Sequence, residues 1–329
     1  MLPAWNSERT LEEAVRSVLG QTFRNFELIV VADHRSTDDT FAILDRLASE
    51  DGRLRVVPQT RPGLVAALNA GIDAARAPLI ARMDADDICK PERFERQVSH
   101  FASHPGCVAV GTGIQKVDQD LQPRRSRARH GYVTPPVLAS RALAFPPQCP
   151  QLAHPTAMIR TDALRAVGGY RDGALAPAQD RDLWWRLSRV GEIHFIEEAL
   201  LIYRVHNSSM SRSARRDTLV ANLLADFSAV AAALGRDDSA ILADLPDELS
   251  SKDLVRRYEN LIGTAYPLRD YMLYLFVRER VQPLAEEGTG AALLWCIAAN
   301  CMARPLNLAP WRVLGCFFAP GYQQQRTIN

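Results

Sequence analysis

The sequence has no long apolar run, no closely paired cysteines and no excess of charge of one sign, and each absence closes off a class of function. Its longest apolar stretch runs from Ala291 to Ala299 and, past Asn300, to Ala303. That is short of the ~20 residues a membrane-spanning helix needs. A second apolar piece, Val313–Ala319, follows after Arg304, Pro305, Pro310 and Arg312. The two read as core helices, or alternatively as a hairpin lying on a membrane surface. The six cysteines (Cys89, Cys107, Cys149, Cys296, Cys301, Cys316) include no C-x-x-C pair. They supply no zinc framework, and their spread fits a reducing compartment. Lys+Arg 39 against Asp+Glu 38 leaves a net charge of +1, without the basic excess of a nucleic-acid binder. Met1-Leu2-Pro3 passes at once into polar Asn6-Ser7-Glu8-Arg9, so no secretory leader is read and a cytoplasmic protein is expected. No internal repeat is found. What is present is ordinary globular material, 47% hydrophobic and 23% charged over 329 residues, enough for two domains or one large α/β domain with an appendage.

Leu11, Ala14, Val15, Val18 and Leu19 recur at helical spacing, predicting an amphipathic helix over 8–20. Thr10 and Glu13 have the spacing of a capping box, and Gly20 is a stop signal. Leu28–Ala32 is continuously apolar, the mark of a strand buried on both faces. Ser36 or Thr37 is expected to cap a helix carrying Phe41, Leu44 and Leu47. A strand at Leu54–Val57, a helix at Leu64–Ala75, a strand at Leu79–Met83, a helix opened by Pro91 and a strand at Cys107–Val110 follow. Strands alternating with helices imply an α/β fold, a doubly wound, mostly parallel sheet. No apolar run precedes Pro3. The first strand is therefore expected to be missing, or the true start to lie upstream. Residues 118–150, with the basic stretch Arg124–Arg129, read as a long surface loop with one short helix, and the chain beyond 212 as mainly helical.

In such sheets ligands sit beyond the carboxyl ends of the strands. Two of those ends carry polar clusters, Asp33-His34-Arg35-Ser36 and Asp84-Ala85-Asp86-Asp87. Two carboxylates two residues apart at a strand end can share a hard divalent cation with a ligand's phosphate oxygens. A bare D-x-D is more often an acidic turn, so its context decides.

That context is a series of segments in order: Pro3-Ala4-Trp5-Asn6-Ser7-Glu8-Arg9-Thr10-Leu11; Phe26–Val31 through Ser36-Thr37-Asp38-Asp39-Thr40; Ala81–Ile88 followed by Pro91–Gln97; His154–Arg160; Gln179–Trp184; and Tyr203-Arg204-Val205-His206 with Ser209 and Ser211. Together they resemble the inverting family 2 glycosyltransferases of the GT-A fold over about residues 1–212. The resemblance implies a GT-A domain over 1–212, with a nucleotide half at about 1–115 and an acceptor half at about 116–212. The remainder, 213–329, is a C-terminal helical region of no assigned role. It further implies that Pro3, Ala4, Trp5 and Glu8 line the nucleotide site, where Trp5 replaces the usual Tyr and can stack on a base. Asp33 falls on the first of two adjacent aspartates; His34 stands in place of the second and Arg35 in place of a Gly. Asn69 and Gly71 match positions near the nucleotide. Asp84 with Ala85 would meet the ribose and Asp86 would ligate Mn²⁺ or Mg²⁺, with His206 a third ligand and Arg204 neutralising diphosphate charge. Asp87 reads as a helix cap first, and otherwise as a group supporting the metal ligands.

Asp180 matches the catalytic base of that family, and Gln179 stands where the family has Glu. A neutral neighbour should leave Asp180 ionised at pH 7. Asp182 is the alternative base, and Trp184, Trp185 and His154 read first as core residues. The implied activity moves a single sugar from a nucleoside diphosphate sugar of UDP or dTDP type to an acceptor hydroxyl. A glycan or lipid-linked acceptor of cell-envelope or polysaccharide biosynthesis is expected. Two other readings stay open. One is a glycosyltransferase-like nucleotide-binding protein without turnover, motivated by the missing strand, His34 and Arg35. The other is a sugar nucleotidyltransferase, which would want a Gly-rich phosphate loop where Pro3-Ala4-Trp5-Asn6 stands. Trp295, Trp311, Phe317 and Phe318 offer a peripheral contact to the inner face of the cytoplasmic membrane.

Overall fold

The computed structural model describes residues 1–124, 149–150, 152–205, 215–233, 238 and 242. All of these fall in one compact unit formed by Met1–Leu143 and Pro147–Leu249; a second unit comprises Ala144–Pro146 and Ser250–Asn329. Positions 125–129 of the basic stretch, His206, Ser209, Ser211 and the apolar pieces between 291 and 319 lie outside the described residues. No helix among the described residues is long and apolar enough to cross a membrane.

Three parallel strands, β1 (Leu2–Ala4), β2 (Leu28–Asp33) and β3 (Leu54–Gln59), lie in that order. They are joined through α1 (Leu11–Leu19), α2 (Thr40–Glu50) and, after β3, α3 (Leu64–Ala74). β2 is buried throughout because alternate side chains serve two cores. Ile29 and Val31 pack with Val65, Leu68 and Ile72 of α3. Val30 and Ala32 pack with Leu11, Ala14 and Val15 of α1 and Leu44 and Leu47 of α2.

β1 corrects the expectation of a missing first strand. Leu2, Pro3 and Ala4 pair in parallel with Val30, Val31 and Ala32. On its other edge, the Met1 amine donates to the Ala81 carbonyl at 2.8 Å and the Met1 carbonyl accepts from the Met83 N–H at 3.1 Å. That is the bonding of a parallel pair, and it joins this sheet to the next. A three-residue strand containing a proline has no alternation to read in sequence.

The second sheet has the order β4-β7-β6-β8-β5, from β4 (Leu79–Ala81), β5 (Ile88–Cys89), β6 (Cys107–Val117), β7 (Met158–Arg160) and β8 (Glu192–Arg204). Here β6 and β8 run parallel while the other pairs are antiparallel. The expected mostly parallel sheet therefore holds for the first sheet and not for the second. Four helices complete the described chain: α4 (Arg93–Ser103), α5 (Thr161–Ala166), α6 (Gln179–Leu187) and α7 (Arg215–Ala233).

Helix starts differ from their sequence signals. Thr10 makes no capping hydrogen bond, and Glu13 pairs instead with Arg204. α2 is entered from Asp39, with the Asp38 carboxylate accepting from the Thr40 N–H at 3.1 Å. α4 starts at Arg93, two residues after Pro91, and carries a buried polar strut. Arg93, fully buried, donates to the Arg82 carbonyl at 2.8 Å and to Gln97 Oε1 at 3.1 Å. Gln97 in turn donates to the carbonyls of Val110 (3.0 Å) and Thr156 (2.8 Å). The Pro91–Gln97 motif thus ties the acidic loop, β6 and the His154–Thr156 turn together, with the buried Arg93 and Gln97 side chains both hydrogen-bonded.

Candidate active site

The parallel bonding of β1 to β2 and of Met1 to the end of β4 aims their carboxyl ends at one edge of the sheet. The loops 5–10, 33–39 and 82–87 open there. The first two are stitched together. Asn6 N–H donates to Ser36 Oγ (3.2 Å) and Thr37 N–H to Asn6 Oδ1 (2.9 Å). Ser7 N–H donates to Thr40 Oγ1 (2.9 Å), and Glu8 N–H to Asp38 Oδ2 (3.0 Å). Glu8 Oε2 accepts from Asp39 N–H at 3.2 Å. Pro3 and Ala4 form the strand end, and Trp5 stands out in solvent at 61% exposure. Glu8 is thus an inter-loop tie.

Asp33 is buried, and both its oxygens are held by the residue that replaces Gly. Arg35 donates Nε to Oδ1 at 3.0 Å and Nη2 to Oδ2 at 2.6 Å. This bidentate grip holds the Asp33 carboxyl down at about 2. His34 leans on the Gln59 carbonyl at 3.0 Å. Asn69 is spent on the Gly168–Tyr170 turn, donating to the Tyr170 carbonyl (2.8 Å) and accepting its N–H (2.9 Å). Gly71 serves close approach, since a Cβ there would lie 2.3 Å from Met1 Sδ.

The acidic loop is the electrostatic centre. One carboxylate oxygen from each of Asp84, Asp86 and Asp87 lies within 4.8 Å of the others. Buried Arg82 forks onto Asp84, with Nη1 at 2.5 Å from Oδ2. Burial raises the Asp84 carboxyl against the pull of Arg82, and the charges of Asp86 and Asp180 push it the same way. Asp87 is 1% exposed and does not cap a helix. Its Oδ1 accepts from the Arg204 N–H at 3.0 Å, and its buried Oδ2 has no hydrogen-bond partner. Burial, then Asp84 and Asp86, raise it well above the carboxylate range. An orphaned oxygen beside two carboxylates is what a hard divalent cation satisfies, and three oxygen donors suit Mg²⁺ or Mn²⁺. Arg204 is a brace for this loop: its Nε donates to the Asp86 carbonyl at 2.8 Å and its Nη2 pairs with Glu13.

Asp180 opens α6 and faces the same centre, close enough that Asp84 feels its charge and it feels that of Arg82. Gln179 adds no like charge beside it, and burial raises the Asp180 carboxyl against the Arg181 backbone N–H and the Arg82 charge. Its neighbours are held away from it. Arg181 binds Asp226 of α7 (2.7 and 2.9 Å). Asp182, 1% exposed, is gripped by Arg171 and by Arg186 (2.6 Å). That double grip removes Asp182 as a base. Trp184 and Trp185 are both core residues. His154 is buried against Tyr170 Oη at 2.8 Å.

Sequence reading missed Arg82, Glu13 and Tyr170. Arg82 could have been found, since a cation that follows an apolar strand and stands two residues before a D-x-D has a carboxylate within reach. Glu13 was disguised by its capping-box spacing.

A parallel sheet continued by a mixed one, with an acidic loop at the junction, is the architecture of the GT-A glycosyltransferases. The description "Glycosyl transferase family 2" matches residues 1–168, and the chain belongs to that family. EpsE of Bacillus subtilis (strain 168), named as a glycosyltransferase, is 34% identical over 209 residues, covering 62% of this chain and 71% of EpsE. The O-antigen biosynthesis glycosyltransferase WbnJ of Escherichia coli is 29% identical over 212 residues, 63% of this chain and 79% of WbnJ. The mannosyltransferase PcManGT of Pyrobaculum calidifontis, solved with GDP-Man and Mn²⁺, superposes with a TM-score of 0.54 at 18% identity, covering 99% of this chain and 81% of that one.

Proposed function

We propose that the chain is an inverting, metal-dependent enzyme that transfers one sugar from a nucleoside diphosphate sugar to an acceptor hydroxyl in polysaccharide or envelope-glycan synthesis. Residues 1–115 serve the nucleotide and 116–212 the acceptor. The observation that carries this reading is that Asp180 lies within electrostatic reach of Asp84 and Arg82, while the charged side chains on either side of it bind other partners.

Asp180 takes the proton of the attacking hydroxyl as its oxygen closes on the anomeric carbon. The nearby Arg82 charge favours the ionised form that this needs, against the burial that raises it. Arg82 holds Asp84 oriented, and the Arg204–Glu13 brace fixes the Asp86–Asp87 turn. Asp86, with His206, would hold Mn²⁺ or Mg²⁺, and the ion would supply positive charge to offset the diphosphate leaving group. Trp5 offers its ring to the base, donors of UDP or dTDP type being the first to test. An O-antigen enzyme among the relatives supports the acceptor class, and the Mn²⁺ of PcManGT supports the metal.

Asp180→Asn keeps size and hydrogen bonding but removes the base. Sugar transfer should fall by at least about 10²-fold, the range of general-base contributions, while nucleotide binding with Mn²⁺ is unchanged by calorimetry. Transfer at near-parental rate by the variant would remove Asp180 from this role.

A further inference from the structure

Away from the acidic loop, three imidazoles meet where the C-terminal end of α4 crosses the start of β8. His100 and His104 lie one helical turn apart and stack at 4.1 Å, and both rings meet the His194 ring edge-on, at 5.0 and 5.1 Å. A ring nitrogen from each lies within 4.8 Å of the others. The site is separate from the sugar-transfer centre. Arg204, which braces the acidic loop, is ten residues further along β8 than His194, on the order of 30 Å at about 3.3 Å per residue.

The hydrogen bonds fix how each ring is protonated. His194 Nε2 lies 2.9 Å from Glu192 Oε2. A carboxylate only accepts, so that nitrogen carries the proton and Nδ1 presents a lone pair. His104 Nδ1 lies 2.9 Å from the His100 carbonyl, so it too is the N–H and Nε2 is the bare nitrogen. His100 Nε2 then donates to His194 Nδ1 at 2.7 Å. A histidine whose outer N–H is held by a carboxylate or a backbone carbonyl is how proteins orient an imidazole toward a metal, and two of the three rings have it.

We propose that His100, His104 and His194 form a second cation site, for a borderline-soft divalent transition metal such as Zn²⁺ or Co²⁺, with Glu192 as the outer partner of His194. Binding needs His100 to carry its one proton on Nδ1 in place of Nε2, so that Nε2 turns a lone pair to the ion; the three rings stay neutral and no net proton is released. Metal–nitrogen bonds of about 2.0–2.1 Å in a tetrahedral set separate the ligand nitrogens by about 3.3 Å. The His100–His194 pair therefore opens by roughly half an ångström, within the reach of small side-chain rotations. His104 is exposed and leaves a way in, with water as the fourth ligand. Three imidazole nitrogens as the protein ligands disfavour Mg²⁺ and Mn²⁺, so the two sites divide cations by chemistry. Such an ion would pin α4, whose buried Arg93 positions the acidic loop, to β8.

The test is a titration of the full chain, stripped with chelator, with Co²⁺ near pH 7.5, read by visible absorption. Tetrahedral nitrogen ligation gives an intense band, and octahedral oxygen ligation at the acidic loop a pale one. One equivalent of intense band is expected, displaced by Zn²⁺. It should persist in Asp86→Asn and fall at least tenfold in apparent affinity in His104→Ala, a surface change that leaves the core intact. His194→Asn is a second variant, checked for folding by circular dichroism. No intense band in the folded parent protein, or the same band in His104→Ala, overturns the proposal and leaves the three rings as a hydrogen-bonded cluster only.

Discussion

Asp226 anchors α7 to the helix that carries the proposed base, and replacing it tests whether that anchoring matters. Its carboxylate is 2% exposed and binds Arg181, itself 19% exposed. Its Oδ1 accepts both Arg181 Nε (2.7 Å) and Trp185 Nε1 (2.8 Å), while Oδ2 accepts Arg181 Nη2 (2.9 Å). Removing one partner of a buried ion pair costs about 3–5 kcal/mol. Arg181 keeps some contact with water, so Asp226→Ala should cost about 3 kcal/mol, or roughly 6–12 °C for a domain of this size. Asp226→Asn retains an oxygen for Trp185 and Arg181 Nε but faces an amide N–H₂ toward Nη2. It keeps a hydrogen bond or two of about 1 kcal/mol each, so it should be clearly milder than Ala. Thermal melts of both variants give the stability. Because Asp180 lies one residue before Arg181, kcat for sugar transfer should fall in Ala more than in Asn, with nucleotide affinity unchanged. An Ala variant within about 0.5 kcal/mol of the parent, as an ordinary surface change behaves, would refute the reasoning, as would an Asn variant as damaged as Ala.

Two further predictions concern the scaffold. The Asp33 carboxyl is held at about 2 in the fold, against an ordinary 3.8. As pH falls, the unfolded chain takes up this proton first, so the contribution is full above about pH 4 and lost between about 4 and 2. Half-exposed Arg35 limits it to about 1 kcal/mol, and Arg35→Gly should flatten denaturant stability across that window. Gly113 sits at a register shift between β6 and β8, where a Cβ would lie 2.6 Å from the Glu197 carbonyl oxygen. Gly113→Ala should cost about 1–3 kcal/mol by overpacking, while Gly52→Ala, with nothing within 4 Å, should leave the melting temperature nearly unchanged.

Most of residues 1–115 was legible because the strands there obey local rules. Leu28–Ala32 is apolar without a break since both faces are covered, and α1 shows its helical stripe. β1 was not legible, because three residues with a proline hold no period and their partners are distant in sequence. Polar residues were harder still. Glu13 and Asp87 each have a local spacing that suits a helix cap, and each is claimed by the end of β8 instead, Glu13 by the Arg204 side chain and Asp87 by its backbone N–H. Local capping competes with long-range ion pairing, and only the fold decides which wins. Gln179 spares Asp180 a like charge, and burial, which no neighbour in sequence reports, still moves its carboxyl up from the ordinary value.

The stitching of loop 5–8 to loop 33–40 bears on the thermodynamics of ligand capture. Five hydrogen bonds fix the backbone beneath an aromatic ring that still stands in water. The ordering of those loops is completed during folding rather than at the encounter. A base arriving on Trp5 would have only the ring's own rotations left to quench. Association there should carry a small entropic penalty and be insensitive to viscosity-limited loop closure.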